Sequence, residues 1–169
     1  VVLAASTHPG EEEILTETHR TLAAYFPKLL TVIVPRHPDR GSSIAGLITA
    51  SGLTPALRSR EELPGATTDI YVADTMGELG LFYRLSPIVF MGGSLIRHGG
   101  QNPIEAIKLG AAIVHGPHVF NFTDVFEALD ASGAARQADN QEALVKQLGQ
   151  LLADPTLRDK MQRAGSGVV

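Results

Sequence analysis

Cysteine is absent from the 169 residues. That excludes disulfides and thiol chemistry and is in keeping with a reducing compartment. Long apolar runs are absent as well: no stretch approaches the ~20 apolar residues of a membrane-spanning helix, and no signal peptide stands at the start. There is no basic surplus. The formal net charge is −4, whereas general nucleic-acid binding needs a basic surface. No G-x-G-x-x-G follows the first apolar run and no Walker A sequence occurs, which disfavours a redox Rossmann domain and a P-loop nucleotidase. The six histidines show no H-E-x-x-H or comparable spacing, so no structural metal is expected. Ser6 lies in no G-x-S-x-G elbow, so a hydrolase site is not indicated. An initiator methionine is also absent. The chain begins at Val1, directly in an apolar run, and the expectation is a domain of a longer protein.

What is present is ordinary globular material, 44% hydrophobic and 19% charged, long enough for one domain with a real core. Continuous apolar runs at Val1–Ala5, Leu29–Val34, Asp69–Ala73, Ser86–Met91 and Ala111–Val114 read as buried strands, with short ones at Ala56–Arg58 and Ala134–Ala138. Between them lie helical stretches. Ile14, Leu15, Thr18, Leu22 and Tyr25 form a stripe ended by Pro27, and Ile44, Leu47 and Ile48 share a face. Leu79–Leu85 and Val119–Ala131 are expected helices, Asn140–Leu152 carries Leu144, Leu148 and Leu151 inward, and Pro155 opens a last helix to about Ala164. Apolar strands alternating with helices predict a Rossmann-like, doubly wound parallel sheet. Ligands of such sheets bind beyond the carboxyl ends of the strands.

The unusual residues all fall at those ends: Ser6–Gly10, Pro35–Pro38, Asp74–Glu78, Gly92–Gly100 and Gly116–His118. Glycines let backbone N–H groups approach a ligand, so Gly92–Gly100 is a candidate anion cradle. Arg36, between two prolines, suits a phosphate; a surface pair with Asp39 is the alternative. Asn102-Pro103-Ile104-Glu105 and Thr75-Met76-Gly77-Glu78 both have capping-box form, and each carries a glutamate able to accept hydrogen bonds from ribose hydroxyls. Ser6–Gly10 before Glu11, Glu12 and Glu13 reads as a capped helix start. His115 and His118 flank Gly116-Pro117, as a tight loop or a pocket wall, and Arg97 and His98 add positive character nearby.

Taken together and in order, these groups closely resemble the C-terminal half of the 3-deoxy-D-manno-octulosonic acid (Kdo) transferases. The residues concerned are Ser6-Thr7-His8-x-Gly10-Glu11-Glu12-Glu13, Pro35-Arg36-His37-Pro38, Asp74-Thr75-Met76-Gly77-Glu78-Leu79, Gly92-Gly93-Ser94-Leu95, Gly99-Gly100-x-Asn102-Pro103-x-Glu105 and Gly116-Pro117-His118-x-x-Asn121-Phe122. The resemblance covers essentially the whole chain. Two positions depart from the family pattern: Gln101 stands where His is expected, and Ile104 where Leu is usual.

The resemblance implies one half of a two-Rossmann-domain (GT-B) glycosyltransferase that adds Kdo from CMP-Kdo to a lipid A precursor with inversion, at the cytoplasmic face of the bacterial inner membrane. It implies CMP contacts from Pro35 and Arg36 at the phosphate, and from Met76, Gly77, Glu78, Asn102, Pro103, Ile104 and Glu105, with Glu105 on the ribose. Gly92, Gly93, Ser94 and His118 are further candidates for the pocket wall. It also implies that no metal is needed, and that the membrane anchor, the acceptor site and the catalytic glutamate lie in an N-terminal domain outside this chain. Two other readings stay open: a GT-B transferase or sugar-nucleotide epimerase with a uridine donor, and a non-catalytic binding module.

Overall fold

The computed structural model describes residues 1–169. Its strands are β1 (Val2–Thr7), β2 (Thr31–Pro35), β3 (Pro55–Leu57), β4 (Ile70–Val72), β5 (Ile88–Met91), β6 (Ala112–His115) and β7 (Ala135–Gln137). They form one seven-stranded sheet in the order β3-β4-β2-β1-β5-β6-β7. Every pairing is parallel. The apolar runs become strands because both faces are covered. Val2 and Ala4 face one core with Ile33, Ile88 and Phe90. Leu3 and Ala5 face the other with Val32, Val89 and Met91. That alternation is the two-residue period of a strand.

The helices divide between the faces. The first core receives α1 (Glu11–Ala23), α2 (Gly41–Ala50) and α6 (Gln141–Ala153) through Leu15, Leu22, Ile44, Ile48, Leu144, Leu148 and Leu151. The second receives α3 (Leu79–Leu85), α4 (Ile104–Lys108) and α5 (Thr123–Ser132) through Phe82, Tyr83, Ala106, Ile107, Phe126 and Leu129. The last helix, α7 (Pro155–Val168), packs on α4, α5 and α6. Asn140 and Asp154 cap α6 and α7, accepting from the Ala143 and Leu157 N–H groups at 2.8 and 3.1 Å.

Several boundaries differ from the sequence reading. The helix expected from Val119 begins at Thr123, because 119–122 forms a turn in which the Asn121 N–H bonds to the Gly99 carbonyl. The last helix runs past Ala164 to Val168. Tyr25 lies beyond the end of α1 and is exposed, so it is no part of the inward stripe.

None of the three expected capped starts forms in the expected way. α1 starts after Gly10, in the left-handed region at φ 95°, with no side-chain cap. α3 and α4 start after Glu78 and Pro103, again without one. Asn102 accepts instead from the Ile104 N–H at 3.0 Å, only two residues on. The bond is an Asx turn rather than a capping box.

From β1 the chain passes to β2, then to β3 at the sheet edge and back to β4 between them, and then crosses to β5 on the opposite side of β1. The loops after β1 and β5 therefore border the point where the strand order reverses, and those after β2 and β4 stand side by side next to it.

Candidate functional site

The crevice between β1 and β5 is the usual place for an anion in such a sheet. Here the chain supplies its own. The loop after β5 turns sharply at Gly93, φ 71°. The Gly93, Ser94 and Leu95 N–H groups donate to the Glu11 carboxylate at 2.7, 3.2 and 3.1 Å. The His8 N–H adds a fourth bond at 3.1 Å. Glu11 is fully buried. Burial pushes its carboxyl above the usual range and the backbone donors pull against that shift.

The neighbouring small residues serve the same architecture. A Cβ on Gly92 would sit 2.3 Å from the Ser6 carbonyl oxygen, and one on Gly116 2.3 Å from that of Ser94. The buried Ser94 hydroxyl donates to the Met91 carbonyl at 2.6 Å and accepts from the Gly116 N–H at 2.8 Å. Of the four wall candidates, Gly92, Gly93 and Ser94 are therefore buried framework. His118 is half-buried, and its N–H holds the Ser94 carbonyl at 2.9 Å. His115 does not line a pocket either. Its ring is buried, with Nδ1 on the Gly116 carbonyl at 2.7 Å and Nε2 on Asp130 at 2.8 Å.

The loops after β2 and β4 are different, because nothing in the chain fills the space between them. Pro35, Arg36 and Pro38 from one, and Thr75, Met76, Gly77 and Leu79 from the other, line a cleft of about 280 Å³ with Ser6 at its side. Arg36 is exposed and forms no ion pair; Asp39 is not its partner. Its N–H bonds to the Thr7 carbonyl at 2.9 Å, which fixes the loop to the end of β1. Met76 leaves 83% of its surface exposed, an unusual state for a large apolar side chain. Ser6 holds φ 58°, beside a register shift in β1 between Ala5 and Thr7. A non-glycine residue there costs of order 1–3 kcal/mol, and such strain concentrates at functional sites. No motif in the sequence marks that conformation.

Glu78 turns away from this cleft. Both its oxygens accept from the Arg58 guanidinium at 2.6 Å, and the Thr75 hydroxyl donates to one of them. The Arg58 bonds hold its carboxyl down to about 2. The Arg58 and Asp74 partnerships were not visible in the sequence. Asp74 accepts from the Ser59 N–H and hydroxyl at 2.8 and 2.6 Å, which fastens the β4 loop to the segment after β3.

Asn102, Ile104 and Glu105 line a second hollow of about 380 Å³ with Lys108, while Pro103 is buried. The two hollows are neighbours through α3 and α4, which lie on one face and start at the same end of the sheet. Glu105 Oε1 lies over Gly80, where a Cβ would meet it at 3.2 Å. Burial, and then the charge of Glu105, push the Tyr83 hydroxyl up. The structure thus brings Pro35, Arg36, Met76 and Gly77 into one cleft and sets Asn102, Ile104 and Glu105 in the next. No group of three His, Cys, Asp or Glu side chains is placed to hold a metal ion, and no helix is long and apolar enough to cross a membrane.

A parallel sheet with helices on both faces and an open cleft at its strand ends is the Rossmann-like architecture of one half of a GT-B glycosyltransferase. Comparison with known proteins agrees. No family model matches the chain. It is 33% identical, with a TM-score of 0.94, to the crystal structure of the C-terminal CMP-Kdo binding domain of WaaA from Acinetobacter baumannii, covering 99% of this chain and 87% of that one. Among curated relatives it is 39% identical to the 3-deoxy-D-manno-octulosonic acid transferase of Haemophilus influenzae over 99% of its length, and 38% identical to that of Bordetella pertussis over 97%. It spans 39% of the length of either relative. The spinosyn rhamnosyltransferase SpnG, at 16% identity and a TM-score of 0.61, shares the fold. The chain belongs to the Kdo transferase family.

Proposed function

We propose that this chain is the donor-binding domain of a glycosyltransferase that moves Kdo from CMP-Kdo to a lipid A precursor. The observation that carries the reading is Arg36, exposed and unpaired beside Met76 and Gly77, in a chain 33% identical to a CMP-Kdo binding domain. Arg36 meets the nucleotide phosphate, for which a guanidinium fork is well matched. Pro35, Met76 and Gly77 flank it. Asn102, Pro103, Ile104 and Glu105 form the adjoining wall, with Glu105 accepting from the ribose hydroxyls. Glu78 enters the site through the turn it fixes, since its carboxylate is held by Arg58 and Thr75.

The domain's share of catalysis is electrostatic. A cation set beside the departing phosphate lowers the barrier only as far as it binds the developing charge better than the ground state. The remainder of the longer protein supplies the acceptor site and the carboxylate base that deprotonates the attacking hydroxyl, and holds the enzyme at the cytoplasmic face of the inner membrane. The reaction inverts the anomeric carbon and uses no metal.

Calorimetric titration of the chain with CMP and UDP tests the nucleotide. Tighter CMP binding supports the proposal. Tighter UDP binding points to a uridine-donor transferase or epimerase and overturns it, and binding of neither leaves only a non-catalytic module. The 169 residues alone transfer no Kdo on this account; turnover by them places the base within this chain.

A further inference from the structure

Three imidazole rings converge at the carboxyl end of β1, between the β2 loop and the β5 loop. The rings of His8 and His98 lie 3.9 Å apart at 31°. His37, next to Arg36, stands edge-on to His8 at 6.2 Å. Gln101 closes the group, its amide nitrogen 3.1 Å from His8 Nε2. All three of His8, His98 and Gln101 pack over Gly93, where a Cβ would meet each of them at 3.2–3.4 Å.

The cluster has no counterion of its own. Glu11 is consumed by backbone N–H groups. Glu12 is paired with Arg40 at 2.9 Å. No carboxylate lies within ion-pair distance of His8, His37, His98 or Arg36. His8 is 5% exposed. With the Gln101 amide donating to Nε2, its ring proton sits on Nδ1, which makes no hydrogen bond within the protein. The adjacent Thr7 hydroxyl, fully buried, has no partner either. Burial first, then the charges of His98, His37, Arg36 and Arg40, lower the His8 value to about 4. At neutral pH the ring is therefore an uncharged N–H donor in a positive field.

A 3-deoxy-octulosonic acid joined to a nucleotide carries two anions on one carbon: the phosphate ester and the carboxylate both leave C2. A protein that holds the phosphate with Arg36 needs a second set of donors immediately beside it, free of acid partners. We propose that His8, His98 and His37 form the subsite for the sugar carboxylate of the donor, next to the phosphate held by Arg36. This deepens the proposed function and rests on it. It also supplies a specificity device. A sugar without a carboxylate beside its anomeric bond covers the His8 Nδ1–H without accepting from it, which takes that donor out of water unpaired and penalises the wrong donor.

The test compares CMP with CMP-Kdo on the unaltered chain, His98→Ala and His8→Asn, by calorimetry, with folding checked by thermal melting. The expected result is a CMP affinity within about twofold of the unaltered chain in both variants, and a CMP-Kdo affinity lowered about tenfold. His98 is exposed, so that variant decides the matter even if His8→Asn fails to fold. Equal losses for CMP and CMP-Kdo, or no loss for either, overturn the carboxylate subsite while leaving the nucleotide site standing. Failure of the unaltered chain to bind CMP overturns the proposed function itself.

Discussion

Two regions of this domain have the same apparent talent and opposite fates. The loop after β5 offers backbone N–H groups around a glycine, and Glu11 occupies them from within the chain. The loops after β2 and β4 offer an arginine and a bare glycine turn, and no side chain of the protein answers them. The first is a joint: it locks α1 to β5 across the reversal of the strand order. The second is the opening. A cluster of donors is therefore a binding site only where the fold leaves it unanswered, and a glycine-rich stretch alone does not distinguish the cases.

The comparison breaks most sharply at Glu11. Replacing it with alanine strands four backbone donors, and the loss of charge-assisted bonds together with buried unpaired N–H groups predicts a stability loss of about 3 kcal/mol. Glu11→Gln retains the shape but turns an amide nitrogen towards donors, so it recovers only part of that loss. Urea unfolding measures both. Unchanged stability in Glu11→Ala shows that the loop holds without its internal anion. Arg36→Ala is the complement. It leaves the unfolding midpoint in place, because Arg36 is exposed and unpaired, and weakens CMP binding by about 1.5–3 kcal/mol, roughly 10- to 150-fold. An unchanged isotherm removes Arg36 from the phosphate.

A third effect is in pH. The His8 value in the folded chain lies at about 4, below the ordinary 6.5. The unfolded chain therefore takes up a proton first as the pH falls. The stability associated with neutral His8 is complete above pH 6.5 and is lost progressively down to about pH 4. His19, lowered by burial, contributes in the same direction. His8→Asn flattens the slope in that window. An identical slope in the variant assigns it to other groups.

Much of the fold was legible in the sequence because it is written locally. Runs such as IVFM at Ile88–Met91 are apolar at every position, as strands covered on both faces of a parallel sheet are. The Leu144, Leu148 and Leu151 stripe marks α6 without help from elsewhere. Arg36 was also legible, since a strand followed by Pro-Arg-His-Pro places a guanidinium at a strand end.

What could not be read depends on neighbours distant in the chain. Glu11 resembled an ordinary first-turn carboxylate; its partner Gly93 is 82 residues away. Glu78 resembled a capping residue until Arg58, 20 residues before it, proved to hold both its oxygens. Asn102 sits one residue too early in its turn, so α4 begins at Ile104 rather than Pro103. In each case a tertiary or turn bond displaced the local one that the motif suggested.

The most direct measurement is a backbone amide NMR titration of the chain with CMP. The account predicts shifts at Arg36, Met76, Gly77 and Ile104–Glu105, with Gly93, Ser94 and Leu95 unmoved because Glu11 already holds their N–H groups. Large shifts at Gly93–Leu95 with Arg36 silent would show that the nucleotide displaces Glu11 and binds at the reversal of the strand order, and would contradict it.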